Sequence, residues 1–298
     1  MKPRSIVSLL AVLAACTTAR EGTSAPKTTG QAEERPSASA KHRADADAPP
    51  SKAAPEKQAP VPPADRNPAP LRTPTEWEAD DTQSGKERDR SAIERRSAVV
   101  KKLFADAGVA FPATEIYFRA FKEESRLEVW ANDAEGTPMK AIATYGICKM
   151  SGDVGPKRHE GDEQVPEGFY ELSFLKNDSS YHLAMHVSYP NAFDKKEAKG
   201  SPGGAIMMHG NCVSIGCIAM SDERIEELWT MVRPLYDKKH KVALHIFPSR
   251  DIDALLGDDR YVKHRDFWKP LAKAMHGFDG DHKEPKVGFD KDGSYVFE

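Results

Sequence analysis

Half of the chain's 22 prolines fall between Ala25 and Thr75, in a stretch almost without large apolar residues. From Thr17 to about Glu87 the residues are mostly Ala, Pro, Ser, Thr, Lys, Arg, Glu and Asp, with Leu71 and Trp77 as exceptions. Such a composition cannot bury enough surface to offset its ordering entropy, so residues 16–90 are expected to be a disordered linker. About 70 residues of flexible coil span about 45 Å, and proline lengthens this further. What remains to fold runs from Ser91 onward, roughly 200 residues, enough for one domain with a substantial core. The net charge of −3 has both signs interspersed, so no basic field marks a nucleic-acid partner.

Residues 1–15 read as a targeting segment. Lys2 and Arg4 precede a short apolar run from Ile6 to Leu13, too short for a resident membrane span. It closes as Leu13-Ala14-Ala15-Cys16, which resembles the lipobox of bacterial lipoproteins. That resemblance implies cleavage before Cys16 and acylation of its sulfur. An ordinary secretory signal with Cys16 incidental is the competing reading. Each buried CH₂ contributes about 0.8 kcal/mol, so several acyl chains anchor a protein stably. Thr17, with no Asp there, implies by sorting rules an exported, lipid-anchored protein at the outer membrane, facing the periplasm.

Within the foldable part, Ile93, Val100, Leu103, Phe104 and Ala107 recur at helical spacing, with Gly108 placed as a cap. Period-two strands follow: Ile116, Phe118 and Ala120, a turn over Lys122 to Ser125, then Leu127 and Val129. Further strands are expected over Met139 to Cys148, Phe169 to Phe174, Tyr181 to Val187, Ala205 to Met208 and Val242 to Phe247. Ser221 is a helix N-cap, with Ile225, Leu228, Trp229 and Val232 marking that helix's buried face. A second late helix carries Phe267, Leu271 and Met275 and stops at Gly277. Residues 279–298 read as a polar tail. The fold class is therefore mainly β with a few helices, in one domain over 91–278.

The densest chemistry lies in Met207-Met208-His209-Gly210-Asn211-Cys212-Val213-Ser214-Ile215-Gly216-Cys217. A cysteine attacks as thiolate, and an imidazole can take its proton. His209 and Cys217, flanking a glycine-containing loop, can face each other. Gly216 allows close backbone approach, so amides of Gly216 and Cys217 are candidate donors to an oxyanion. Once Cys16 is lipidated three thiols remain. One pair, Cys148 with Cys212, plus one free nucleophile fits that number, and two reduced thiols fit it as well. A zinc site from Cys148, His209, Cys212 and Cys217 has the right ligand types but no recognised spacing, so no metal or cofactor is expected. Papain-like enzymes place the cysteine before the histidine, the reverse of this order. A non-catalytic, tethered binding module is the third class. His182, His186 and His245 read as core histidines, although His186 lies close enough to Tyr189 to approach a cleft. Asp162 reads as a turn residue, Met207 and Met208 as core packing, and Asp194-Lys195-Lys196-Glu197 as a solvated loop.

His209-Gly210 followed by Ser214-x-Gly216-Cys217 resembles the active-site signature of the L,D-transpeptidase catalytic domain, the YkuD-type family. Pro166-x-Gly168-x-Tyr170 and Tyr189-Pro190-Asn191 resemble further segments of that family, in the same order. The resemblance covers about Glu115 to Phe247. It implies a β-sandwich-like domain acting on peptidoglycan stem peptides. Cys217 would attack a diaminopimelate carbonyl, D-alanine would leave, and His209 would shuttle the proton. The Gly210 carbonyl would orient His209, Ser214 would support the loop, and Asn211 falls in the substrate-binding set. An amine of another stem, or of a murein-bound lipoprotein, would take the acyl group. Ile215 and Ala219 stand where many members carry a basic residue or His and an Arg. That leaves open resolution by water, which would trim stems or release bound lipoprotein.

Overall fold

The computed structural model describes residues 71–72 and 83–298. The signal segment, Cys16, Trp77 and most of the expected linker lie outside the described residues. Eleven strands and five α-helices follow one another there.

Strands β2 (Glu115–Phe121), β3 (Arg126–Asn132) and β4 (Lys140–Gly146) form an antiparallel meander, its first turn closed by Ser125 N–H on the Lys122 carbonyl. β9 (Ala243–Phe247) lies parallel to β2. β5 (Gly168–Ser179) joins two sheets. Its first four residues pair with β9, and from Leu172 it pairs instead with β6 (His182–Val187), across a register shift. β7 (Met207–His209) and β8 (Ile218–Ala219) continue that second sheet. The chain thus adopts the expected mainly β architecture with helices.

Both faces of the meander are covered. Ile116, Phe118, Leu127 and Val129 pack with Val100 and Phe104 of α1 (Gly85–Asp106) and with Leu228 and Trp229 of α3 (Asp222–Asp237). Tyr117 and Trp130, pointing the other way, meet Phe278 of α5 (Arg265–Asp281). Alternation sends successive side chains to opposite faces, and each fully buried one contributes about 1.5–3 kcal/mol. Arg119, also on the α5 side, is fully buried and held by Asp279 at 2.9 Å.

Order begins earlier than the linker expectation over 16–90. Leu71–Arg72 forms a short parallel strand, β1, on β4, and Arg72 Nη2 meets Glu227 Oε1 at 2.9 Å. Helix α1 starts at Gly85 because Glu87 folds back onto Ser84, accepting from its N–H at 2.9 Å and its hydroxyl at 2.6 Å. The polar-tail expectation for 279–298 is corrected too. Helix α5 runs through Gly277 to Asp281, where His282 stops it at φ 56°. Strands β10 (Val287–Phe289) and β11 (Tyr295–Phe297) then form a hairpin, with the Tyr295 ring against Phe169 and Phe193. The run from Asp194 to Glu197 belongs to a short helix, α2 (Ala192–Glu197), rather than a solvated loop. Asp194 is buried there, accepting from the Tyr170 hydroxyl at 3.0 Å, and burial raises its pKa to about 6.

Candidate active site

β7 ends at His209 and β8 begins at Ile218, and the two strands run parallel, with Met208 opposite Ile218 and His209 opposite Ala219. Cys217 directly precedes β8, so the register sets it one residue before Ile218, the partner of Met208, near the end of β7 where His209 lies. Parallel strands usually need a dozen or more connecting residues. Here residues 210–217 suffice, with Asn211 at φ 60° and Gly216 at φ 126° turning the chain sharply.

His209 Nδ1 lies 2.6 Å from the carbonyl oxygen of Gly210. A carbonyl only accepts, so the neutral ring carries its proton on Nδ1 and leaves Nε2 basic. The Tyr181 ring stacks on the imidazole, with centroids 4.7 Å apart. Burial pushes the His209 pKa below its ordinary value, against the opposing pull of the Gly210 carbonyl and Asp222. Gly210 has no room for a side chain. A Cβ there would sit 2.9 Å from the Tyr181 carbonyl oxygen and nearer still to Asp222 Oδ1. Asp222 also accepts from Asn211 N–H at 2.6 Å, while Asn211 Oδ1 accepts from Cys212 N–H at 2.6 Å. Asn211 is therefore a shaped turn residue.

Cys217 is half-buried, its Sγ 4.0 Å from the Ala205 carbonyl oxygen. Burial pushes its thiol pKa up, and a Met207 backbone hydrogen bond and the Lys157 charge pull the other way. Ser214 Oγ donates to the Cys217 carbonyl at 2.7 Å and accepts from Cys217 N–H at 3.0 Å and Gly216 N–H at 3.2 Å. The Ser214 hydroxyl thereby cross-links the loop to Cys217. This also corrects the picture of two open oxyanion donors, because the Ser214 hydroxyl already engages both amides.

Cys148 and Cys212 form a disulfide, with Cα atoms 5.4 Å apart. It ties the 210–217 loop to the segment after β4, where Lys149 bridges Ala219. Two of the four thiol and imidazole ligands needed for a zinc site are thereby consumed. No cluster of three or more potential metal-ligating His, Cys, Asp or Glu occurs among the described residues.

The three histidines expected in the core have partners of their own. His182 meets Glu226 at 3.0 Å, His245 meets the Tyr117 hydroxyl at 2.8 Å, and His186 meets Ser173 Oγ at 2.7 Å. Asp162 caps a turn, accepting from Arg158, His159 and Gln164 N–H groups and from Lys157. Gly168, at φ 142°, lies against the Tyr295 and Tyr170 hydroxyls, and Asn191 caps α2. Met208 is buried between strands while Met207 is half-buried. Tyr181, Asp222 and Lys157 were not singled out from sequence for this site. Each reaches it from a separate segment, and only the first-turn position of Asp222 gave any signal.

A mainly β domain with a free thiol just before β8 and a tautomer-fixed imidazole at the end of the parallel β7 offers a candidate cysteine–histidine site, a pairing that acyl-transfer enzymes use. Residues 116–247 match the family model of the L,D-transpeptidase catalytic domain, YkuD. Over 184 residues the chain is 38% identical to the Escherichia coli K12 protein described as "Putative L,D-transpeptidase YafK", covering 61% of this chain and 73% of that protein. The O157:H7 counterpart matches equally. The chain belongs to the L,D-transpeptidase catalytic-domain family. Among solved structures, the helical cell shape determining protein Pgp2 from Campylobacter jejuni is 20% identical, with TM-score 0.38, over 64% of this chain and 80% of that one. Mycobacterium tuberculosis L,D-transpeptidase 1 is 15% identical, with TM-score 0.25, over 44% and 61%.

Proposed function

We propose that this protein modifies peptidoglycan by acyl transfer, with Cys217 as nucleophile and His209 as its base. The observation that carries the reading is the parallel register of β7 and β8, which sets the half-buried free thiol of Cys217, just before β8, against the strand ending in His209, whose Nδ1 proton is committed to Gly210. Nε2 of His209 takes the thiol proton as Sγ attacks the diaminopimelate carbonyl of a stem peptide. The C–N bond to D-alanine breaks, its amine leaves with that proton, and an acyl-enzyme remains on Cys217. The amine of a second stem, or of a lipoprotein lysine, then attacks, gives its proton to His209 and releases the thiol. Anchoring through an acylated Cys16 at the outer membrane would hold this domain beside its polymeric substrate.

The test is mass spectrometry of the protein incubated with purified stem peptides. The expected result is a covalent adduct on Cys217 with D-alanine released, lost in Cys217→Ala and strongly slowed in His209→Ala. New bonds between diaminopimelate residues, or exchanged D-amino acids, identify an amine acceptor. Shortened stems alone would make water the acceptor and replace transfer by hydrolysis. An adduct that persists in Cys217→Ala would remove the mechanism.

A further inference from the structure

Lys157 is a buried lysine, 5% exposed, in the long connection between β4 and β5. Burying an ammonium costs several kcal/mol unless it is paired. Its pairing is specific: Nζ meets Asp162 Oδ1 at 2.5 Å and the His159 carbonyl at 3.0 Å. Asp162 is itself fixed by three backbone N–H groups at 2.8–3.2 Å, and its carboxyl pKa is held down at about 2. The ammonium is therefore held in place by a preorganised turn.

That turn walls the candidate site. Glu160 N–H meets the Ser201 carbonyl at 2.9 Å, joining the turn to the segment that precedes β7. Ala205, in that same segment, brings its carbonyl to 4.0 Å from Cys217 Sγ. Tyr189 lies between them, with its hydroxyl on the Pro202 carbonyl at 2.9 Å and its ring centroid 6.0 Å from Lys157 Nζ. Further along the connection, Ser151 Oγ lies 3.4 Å from Ser214 Oγ. The Gln164 carbonyl also stands 3.4 Å from where a Cβ on Gly216 would sit.

An ammonium has three N–H donors. Two are spent on Asp162 and His159, and the third has no oxygen partner among the described residues. We propose that Lys157 is a substrate-binding cation of this site, and that its third N–H receives a carboxylate of the peptide substrate beside Cys217. The anchor Asp162 also accepts from Gln164 N–H, and it is the Gln164 carbonyl that stands against Gly216, so the ammonium's own turn abuts the loop that carries Cys217. A carboxylate-bearing peptide is the substrate class this selects. A neutral ester or amide lacking a nearby carboxylate gains nothing from the contact.

This inference rests on Cys217 being the reacting group, and its test needs no turnover. Full-length protein is alkylated in parallel with iodoacetate and iodoacetamide, and the Cys217 peptide is quantified by mass spectrometry. The thiol displaces iodide in both reactions, and only the charge of the reagent differs. Lys157→Met is expected to lower the iodoacetate-to-iodoacetamide rate ratio about five- to tenfold, as loss of a nearby unit charge requires. Lys157→Arg is expected to keep it within about twofold, since it restores the charge. A purely structural role changes both rates together and leaves the ratio alone. Where Lys157→Met fails to fold, the ratio on native wild-type protein is compared with that on the same chain in urea, and it is expected to be higher in the native state. A ratio insensitive to Lys157, or no higher in the native chain than in urea, overturns the proposal while normal Cys217 alkylation leaves the nucleophile assignment standing.

Discussion

His209 and Gly210 are joined by a hydrogen bond from the imidazole Nδ1 to the carbonyl of the very next residue, 2.6 Å away. The ring's orientation thus depends on the backbone at 210, and that backbone is packed with no space for a Cβ between Tyr181, His182 and Asp222. Gly210→Ala must push the Asp222 carboxylate and the Tyr181 carbonyl aside, at a cost of about 1–3 kcal/mol. The expected outcome is a lower melting temperature and a loss of acyl-enzyme formation larger than the stability change explains. Wild-type acylation rates in a folded Gly210→Ala would mean that the carbonyl does not orient the base.

Burial moves the two groups of the proposed mechanism in opposite directions, lowering the pKa of His209 and raising that of Cys217. Both shifts favour the uncharged pair, thiol with neutral imidazole, over thiolate with imidazolium. Iodoacetamide alkylation of Cys217 is therefore expected to accelerate about tenfold per pH unit through the neutral range, with no plateau until the thiol titrates. A rate already level at about pH 6 would instead reveal a preformed ion pair.

Strands with alternating apolar residues, such as Ile116-x-Phe118-x-Ala120, were legible because one face needs a core whatever covers the other. What the pattern concealed was α5 over the opposite face, where polar Arg119 is buried through Asp279 rather than exposed. The ends of the domain were misread for a related reason. Leu71–Arg72 and the strands of the β10–β11 hairpin are only two and three residues long, too short to set a pattern, and each is held by a distant partner, Glu227 for the first and Phe169 for the second. At the candidate site the eight-residue spacing of His209 and Cys217 was visible. Tyr181 and Lys157 were not, since nothing in their local sequence records a contact made across the fold.

Cys148 and Cys212 close a loop with a sequence separation of 64. Chain entropy alone assigns such a crosslink about 4 kcal/mol. Urea unfolding of Cys148→Ser/Cys212→Ser is expected to show a stability loss approaching that figure, with wild type in reductant behaving alike. Because Cys212 sits inside the 210–217 loop, acylation is expected to fall as well. A variant as stable as wild type would show that the loop is held without the disulfide.

Glu226, fully buried on α3, accepts from His182 Nε2 at 3.0 Å on β6 and from Arg95 and Arg96 on α1. Burial by itself would raise its pKa, but the His182 and Arg95 hydrogen bonds outweigh it, leaving the carboxyl below its ordinary 4.5. A carboxyl depressed in the folded state contributes stability that is present above 4.5 and fades as pH falls through the folded value. The residue after His182 is Leu183, whose carbonyl receives Gly210 N–H at 3.0 Å, so this clamp lies one residue from the His209 support. Glu226→Gln removes the charged acceptor that three cationic or polar donors share, at an expected cost of about 3 kcal/mol near neutral pH. The gap between variant and wild type should narrow in acid as the wild-type carboxylate is protonated. Melting curves collected from about pH 7 down to about pH 3 check both statements, and a constant gap across that range would show that Glu226 is not ionised in the folded protein.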